Sequence, residues 1–166
     1  DIKRYSYKFA DLYLLFIPWH FPLHKDPNIT GASLEAEKAF KNKYSAVYNH
    51  LLKYKTQLSN RNKAETGIRY EWYALQRWGA NYWKEFSKKK IIFQEMVQDS
   101  SFVMDYEGEF ICLDTARIIT GENLDILLAI FNSKLFFYSI KTFYGGGALG
   151  EKGIRMKHTF FNKFPM

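Results

Sequence analysis

The longest periodic pattern in this sequence is an apolar stripe over Leu34–Ser59. Its large side chains recur at alternating steps of four and three residues, at Phe40, Tyr44, Val47, Leu51, Tyr54 and Leu58. This spacing places them on one face of an α-helix, and fewer than four heptads are present, which is short for a coiled coil. Ser33 is the expected N-cap, and Glu35 and Glu37 suit the positive end of the helix dipole. We therefore expect one long helix, over about residues 34–59, that packs on its own domain or on a neighbouring one.

Shorter apolar runs on both sides of the stripe have the two-residue period that is typical of β-strands. The first 18 residues predict a hairpin with its turn at Asp11, in which LYLLFI forms a buried strand. Glu107-Gly108 predicts the turn of a second hairpin. The other expected strands lie in IIFQEMV, SFVMDY, EFICLDT and ARIIT.

A second helix is expected over about residues 123–141, where Gly121 and Asn123 precede a mostly apolar stretch. The elements thus follow the order hairpin, long helix, several strands, helix and basic tail. Strands that are not separated by helices favour antiparallel pairing over alternating βαβ units. We predict an α+β fold with a mainly antiparallel sheet, formed by residues 1–166 as a single domain.

Positive charge is concentrated in two parts of the sequence. The chain has 24 Lys or Arg against 17 Asp or Glu, and its net charge of +7 favours polyanions such as nucleic acid. Residues 34–90 and 141–166 are basic, whereas residues 91–140 between them are acidic. If the two basic regions converge in the fold, they form a groove for a phosphate backbone.

The basic regions also contain side chains and glycines that suit base recognition. Arg and Gln can read guanine and adenine edges through paired hydrogen bonds, and a glycine run lets the backbone approach a ligand closely. The alternative is that the lysines only keep a helix and loops solvated. The expected DNA contacts are Arg61, Lys63, Arg69, Gln76, Arg77, Lys141, Lys152, Arg155 and Lys157, with Tyr144, Gly145, Gly146 and Gly147 shaping a reading loop.

The sequence lacks the common catalytic patterns. It contains no GxSxG, no HExxH, no P-loop and no Gly-rich dinucleotide fingerprint. Cys112 is the single cysteine, which excludes an internal disulfide and fits a cytoplasmic location, and no apolar run approaches the roughly 20 residues of a membrane span. Asp105, Glu107 and Glu109 could cluster at the second hairpin, which leaves a metal-dependent nuclease as an alternative. We expect neither a catalytic centre nor a cofactor in this chain.

Several stretches resemble the C-terminal specificity domain of TaqI-like and Eco57I-like enzymes, which are type IIG restriction–modification proteins related in this domain to type I specificity subunits. The matching motifs are DIKRY at the start, the Lys90-Ile91 strand, the helix with Leu127, Leu128, Asn132 and Ser133, the Gly-rich basic loop, and Phe164-Pro165 near the end. Asn132 and Ser133 lie in an apolar helix, so we expect them to cap or bond locally rather than to contact DNA.

This resemblance implies that the chain reads a short site in duplex DNA as part of a larger bacterial protein. The parent would carry an adenine-N6 DNA methyltransferase domain that uses S-adenosylmethionine and, as a rule, an endonuclease domain that uses Mg²⁺, with both in the same chain. The absence of catalytic motifs agrees with that division of labour. The alternatives from other classes are an RNA-binding module and a protein-interaction domain that docks through the apolar stripe.

Overall fold

The computed structural model describes residues 2–112, 114–144, 148–149 and 153–156, and its fold is α+β with antiparallel strand pairing, as predicted. The chain divides into two compact units. We call Asp1–Tyr13 with Lys84–Met166 the sheet unit, and Leu14–Trp83 the aromatic unit. That the whole chain acts as a single recognition domain stays a prediction.

The sheet unit contains the strands of the fold, in three small antiparallel sheets. These strands are β1 (Ile2–Lys3), β2 (Ser6–Tyr7), β3 (Lys90–Gln94), β4 (Met96–Val97), β5 (Phe102–Asp105), β6 (Ala116–Ile119), β7 (Ala148–Leu149) and β8 (Gly153–Arg155). β1 pairs with β2, the central sheet has the order β5-β3-β6, and the third has the order β4-β8-β7. The predicted strand IIFQEMV bends at Glu95, so that β3 and β4 belong to different sheets.

The helices are short. The aromatic unit holds α1 (Leu34–Lys43), α2 (Ser45–Leu52) and α3 (Lys55–Ser59), and the sheet unit holds α4 (Leu124–Phe131), α5 (Lys134–Ser139) and a π-helical turn over Ile140–Tyr144. A 3-10 helix over Trp83–Ser87 contains the point where the chain passes from one unit to the other. Both predicted helical regions are therefore helical, but each is interrupted.

The predicted long helix breaks at Tyr44 and again at Lys53 and Tyr54. Tyr44 leaves the helical conformation, with φ −128° and ψ 47°, and its ring packs 5.1 Å from that of Phe21 and 5.9 Å from that of Phe40. The N-cap is as predicted, because the Ser33 hydroxyl accepts the amide of Ala36 at 3.1 Å. The apolar stripe thus reaches the core of the aromatic unit through three helices rather than one.

The second predicted helix breaks at Asn132 and Ser133, where the Ser133 side chain competes with helical hydrogen bonds. The buried amide of Asn132 accepts from the Phe102 backbone N–H and donates to the Phe102 carbonyl, at 3.1 and 2.9 Å. The Ser133 hydroxyl accepts the amide of Phe136 and caps α5. The local role predicted for Ser133 is confirmed, whereas the side chain of Asn132 makes a structural contact with a residue 30 positions away rather than a local one.

The N-terminal hairpin differs from the prediction. Its strands are β1 and β2, and its turn includes Tyr5, at φ +60°, rather than Asp11. LYLLFI forms no strand. It is not a buried segment either, since Leu12 and Tyr13 are 79% and 86% exposed and Ile17 is its one buried residue. The prediction of a buried strand there is wrong, because apolar residues alone do not supply a neighbouring strand to pair with.

The prediction of a hairpin at Glu107-Gly108 is also wrong. The central strand β3 pairs with β5 on one side and with β6 on the other, and residues 108–112 form a loop. The Asp105 carboxylate accepts the amides of Gly108, Glu109 and Phe110 at 3.0–3.1 Å, which bends the chain away from a ladder.

Asp105 forms a buried ion pair with Lys90 beneath this loop. Their side chains are 3% and 0% exposed, and Lys90 Nζ donates to the same carboxylate that organises the loop. Burial raises the pKa of Asp105, but the hydrogen bonds from Lys90 and from the amides of Phe110 and Glu109 outweigh it and lower the pKa. The pair therefore stabilises the fold above the ordinary titration range of an aspartate and loses this contribution as the pH falls through the lowered pKa.

In the aromatic unit, two carboxylates join separate segments of the chain around an aromatic core. Glu37 accepts hydrogen bonds from the Tyr48 hydroxyl at 2.9 Å and from Trp72 Nε1 at 2.7 Å. Glu71, buried, accepts the backbone amides of His20 and Ser33 at 2.7 and 2.8 Å. The core consists of Ile17, Phe40, Tyr48, Tyr70, Trp72, Tyr73 and Ala74.

We predict that Asp105→Asn lowers the free energy of unfolding by about 3–5 kcal/mol, because it leaves the buried Lys90 without a counter-charge. Urea denaturation at neutral pH measures this. Glu107→Gln, at an exposed neighbouring position, should stay within about 0.5 kcal/mol of the wild type. The double variant K90M/D105N should lose less than D105N alone, and an equal or larger loss contradicts the assignment.

Candidate nucleic-acid interface

Arg61 binds the backbone of the aromatic unit. Its Nε donates to the Leu58 carbonyl at 3.0 Å, and its Nη2 donates to the carbonyls of Trp72 and Ala74 at 2.9 and 2.7 Å. These bonds connect the end of α3 to the segment around Trp72 and Ala74, which belong to the core of this unit. The geometry gives Arg61 a structural role that the sequence did not predict.

Arg69 and Arg77 share one carboxylate, that of Glu65. Arg69 Nη1 lies 2.7 Å from Oε1 and Arg77 Nη1 lies 2.9 Å from Oε2, while the two arginine side chains remain 57% and 67% exposed. The hydrogen bond from Arg77 is the main cause of the lowered pKa of Glu65. Both guanidinium groups are therefore held at the surface by a partner that stays charged at neutral pH.

Gln76 and Lys63 complete the candidates from this part of the chain. Gln76 is half-buried, and its backbone carbonyl accepts from Arg77 at 3.1 Å. Lys63 is exposed and pairs with no described carboxylate. Of the five sequence-predicted contacts in the aromatic unit, the structure brings Arg69 and Arg77 together at Glu65.

In the sheet unit, Arg155 on β8 is part of a three-residue ion cluster. Its Nε and Arg117 Nη2 donate to the two oxygens of the buried Glu95 carboxylate. The bond from Arg155 is the largest cause of the lowered pKa of Glu95. This cluster sits where β3 bends into β4, so Arg155 has a role in connecting the two sheets.

The remaining candidates lie at the end of α5 or outside the described residues. Lys141 is exposed on the π-helical turn, and Tyr144 is half-buried and packs against the core of the sheet unit; both have interaction partners. The predicted contacts that lie outside the described residues are Gly145, Gly146, Gly147, Lys152 and Lys157, and the Phe164-Pro165 motif lies there too.

Among the residues that the structure describes, lysines without a carboxylate partner are concentrated in the aromatic unit. Residues 14–83 contain ten Lys or Arg against five Asp or Glu. Three of those five acids, Glu37, Glu65 and Glu71, make the internal contacts described above. The described lysines of this unit that are exposed and make no ion pair with a described acid are Lys25, Lys38, Lys41, Lys43, Lys53 and Lys63.

The described cations of the sheet unit are mostly paired. Lys88 and Lys89 make ion pairs of 2.6 Å with Glu85 and Asp125. Arg4, Lys90, Arg117 and Arg155 are paired as well. Among its described lysines, Lys84 and Lys134 are exposed without an ion pair. The sequence missed this contrast between the units, because charge counts do not show which cations have partners.

Asp105 and Cys112, two side chains with other chemistry, are engaged or inert. The oxygens of Asp105 are occupied by Lys90 and three amides, and burial raises the pKa of the Cys112 thiol to about 11, which leaves it protonated at neutral pH. Within the described ranges, no group of three His, Cys, Asp or Glu side chains could hold a metal ion.

A comparison with known proteins finds neither a matching family model nor a matching curated protein. The similarity to type IIG specificity domains stays a prediction from the sequence motifs.

Across the described ranges, no single helix has the length and apolar character to cross a membrane. The pair Leu124–Phe131 and Lys134–Tyr144 reaches these criteria only jointly, with a bend of 65° between its members.

We predict that Arg61→Gln lowers the free energy of unfolding by about 1.5–3 kcal/mol, because three carbonyls lose a charged donor. Lys63→Gln is the matched control, since it removes the same charge two residues away and should change stability by less than about 0.5 kcal/mol. Thermal and urea unfolding of both variants provide the measurement. Equal stabilities of the two variants would rule out the structural role of Arg61.

Proposed function

We propose that this chain recognises duplex DNA and that lysines of the aromatic unit supply most of its phosphate contacts. The observation that carries the proposal is the surplus of exposed, unpaired lysines in this unit. Lysines without carboxylate partners can neutralise phosphates and release counterions without breaking an existing ion pair. The net charge of +7 supports the same class of partner.

Lys38 and Lys41 are the best-placed phosphate contacts. They lie three residues apart on α1, a spacing that puts them on one side of the helix. Lys53, after α2, and Lys63, after α3, are further exposed cations of the same unit. Lys63 belongs to the set of contacts expected from the sequence, whereas Lys38, Lys41 and Lys53 do not.

Arg69 and Arg77 are the proposed readers of base edges. A guanidinium group binds guanine through two parallel hydrogen bonds, and both groups are exposed. An exposed ion pair contributes only about 0.2–1 kcal/mol, so exchange of Glu65 for a guanine edge costs little. Until that exchange, Glu65 keeps both side chains in a defined position.

The wider proposal follows from the resemblance to type IIG specificity domains. In a protein of that type, the chain would direct an adenine-N6 methyltransferase domain and an endonuclease domain of the same parent protein to a short DNA site in the bacterial cytoplasm. S-adenosylmethionine and Mg²⁺ would serve those domains. The engaged state of Asp105 gives the nuclease alternative within this chain no support.

The docking alternative depends on a free apolar stripe, and most of this stripe packs internally. Phe40 is buried in the core of the aromatic unit, and Tyr44, Val47, Leu51 and Leu58 pack against that core. Of the stripe residues, Tyr54 is the exposed one, at 45%. The RNA alternative is separated from the DNA proposal by binding measurements with both polymers.

We predict that wild-type protein binds random duplex DNA more tightly than matched duplex RNA, and that log affinity falls linearly with log salt. The double variant K38Q/K41Q should bind more weakly, with a slope smaller by up to about 2, because each lost phosphate contact removes roughly 0.9 from the slope. Fluorescence anisotropy across a salt series measures both quantities.

The matched control for this experiment is K88Q/K89Q, which removes the same charge at two paired lysines of the sheet unit. Its salt slope should stay close to that of the wild type. The assignment fails if the control loses as much slope as K38Q/K41Q, and a preference for RNA contradicts the choice of DNA.

We predict that Glu65→Gln tightens DNA binding by about two- to fivefold, because Arg69 and Arg77 no longer give up an ion pair to reach the ligand. Glu107→Gln makes the same change in net charge at an exposed acid of the sheet unit. Anisotropy titrations at one salt concentration compare the two variants. If E65Q binds no more tightly than E107Q, the two arginines are not readers.

A further inference from the structure

A small cavity in the aromatic unit has no part in the contacts proposed so far. Its volume is about 160 Å³, and its lining residues are Phe16, Pro18, Phe21, His24, Trp78 and Trp83. Pockets for drug-sized ligands and cofactors measure roughly 300–1,000 Å³. This cavity therefore has room for a single small ring system.

The cavity is walled by aromatic rings that present their faces at a range of angles. The centroids of Trp78 and Trp83 are 6.4 Å apart, and those of Phe16 and Trp83 are 6.3 Å apart at an interplanar angle of 31°. Both tryptophans and Phe16 are half-buried, so part of each ring remains accessible. Flat, π-bonded molecules gain most from such walls, through stacking and edge-to-face contacts.

His24 adds a polar atom to this lining. Its ring stacks on that of Phe21 at 5.6 Å, and its Nδ1 is buried without a hydrogen-bond partner. Burial, followed by the charge of Lys25, lowers the pKa of His24, while the Pro22 backbone offsets part of this. The ring is thus neutral at pH 7, and Nδ1 can donate or accept according to its tautomer. A ligand with a hydrogen-bonding edge would satisfy this atom.

The charges near the cavity indicate which flat molecule fits. None of the six lining residues is acidic, and the positive charge of Lys25 acts on His24, whereas Arg77, beside Trp78 in the sequence, is already paired with Glu65. Aromatic cages can hold quaternary ammonium groups, but the charge of Lys25 and the lack of an acid in the lining disfavour a cation. A nucleotide, with a flat base and a negative backbone, matches both the rings and the charges.

We infer that this cavity takes one unstacked base of the bound DNA, with Trp78 and Trp83 as the stacking surface and His24 Nδ1 bonded to an edge of the base. The inference rests on the proposed DNA binding and adds a specific contact to it. It predicts a preference for DNA in which one base is already outside the helix, since such a base needs no unstacking.

Anisotropy titrations of the full chain with three duplexes test the inference. The first is perfectly paired, the second carries one bulged adenine, and the third carries the same bulge with an abasic nucleotide. The third has the backbone deformation without the base. Wild-type protein should bind the adenine bulge about tenfold more tightly than the abasic one, because a base stacked on an aromatic side chain contributes about that much.

Variants locate the preference in the cavity. Trp78→Ala should abolish the difference between the adenine and abasic bulges, and Trp78→Phe should keep most of it because a stacking ring remains. His24→Phe should keep the stack on Phe21 but reduce the preference by a few-fold, because it lacks the nitrogen. Tyr54→Ala, at an exposed aromatic outside the cavity, should leave the preference intact.

The outcomes separate this inference from the proposed function. Equal binding of the adenine and abasic bulges by wild-type protein, with normal binding of the paired duplex, overturns the cavity assignment alone. A preference for the adenine bulge that survives in W78A also overturns the cavity assignment. Unchanged binding of the paired duplex by W78A shows that this variant is folded. Failure to bind any of the three duplexes overturns the proposed function and, with it, the inference.

Discussion

Internal carboxylates determine which cations of this chain are available to a ligand. Glu65 holds two arginines of the aromatic unit, and Glu95 holds two arginines of the sheet unit. Asp105 neutralises a buried lysine at the centre of the sheet. Within the described part of the chain, the cations without such partners are mainly lysines of the aromatic unit. The candidate interface follows from this pairing more directly than from the total charge.

The same kind of contact builds the scaffold of the aromatic unit. Glu37 joins α1 to Tyr48 and Trp72, and Glu71 joins the segment around His20 to the start of α1. The regular elements of this unit are three short helices, so these hydrogen bonds and the packed rings connect its segments. Helix α1, which carries Lys38 and Lys41, and the small aromatic cavity both belong to this unit.

The fold class, one helix cap and the positions of several elements could be predicted from the sequence, whereas two turns, the helix breaks and the long-range pairings could not. The α+β class, the Ser33 cap and the strands around Ile91 and Ile118 depend on periodicity and capping, which are local. The pairing of Arg155 with Glu95 spans 60 residues, and that of Arg77 with Glu65 spans 12. No sequence pattern indicates such partners, so paired arginines and unpaired lysines could not be distinguished. The predicted strand in LYLLFI was wrong for a related reason, because its composition is apolar but none of the described strands pairs with it.

Lysine footprinting would show which lysines the bound DNA covers. The full chain would be treated with a lysine-modifying reagent with and without duplex DNA at low salt, and the reactivity of each lysine would be read by mass spectrometry. If the unpaired lysines contact the phosphates, DNA protects Lys38, Lys41, Lys53 and Lys63 and leaves Lys88 and Lys89 unchanged. Protection of the paired lysines of the sheet unit, with the aromatic unit unaffected, would contradict that assignment of the phosphate contacts.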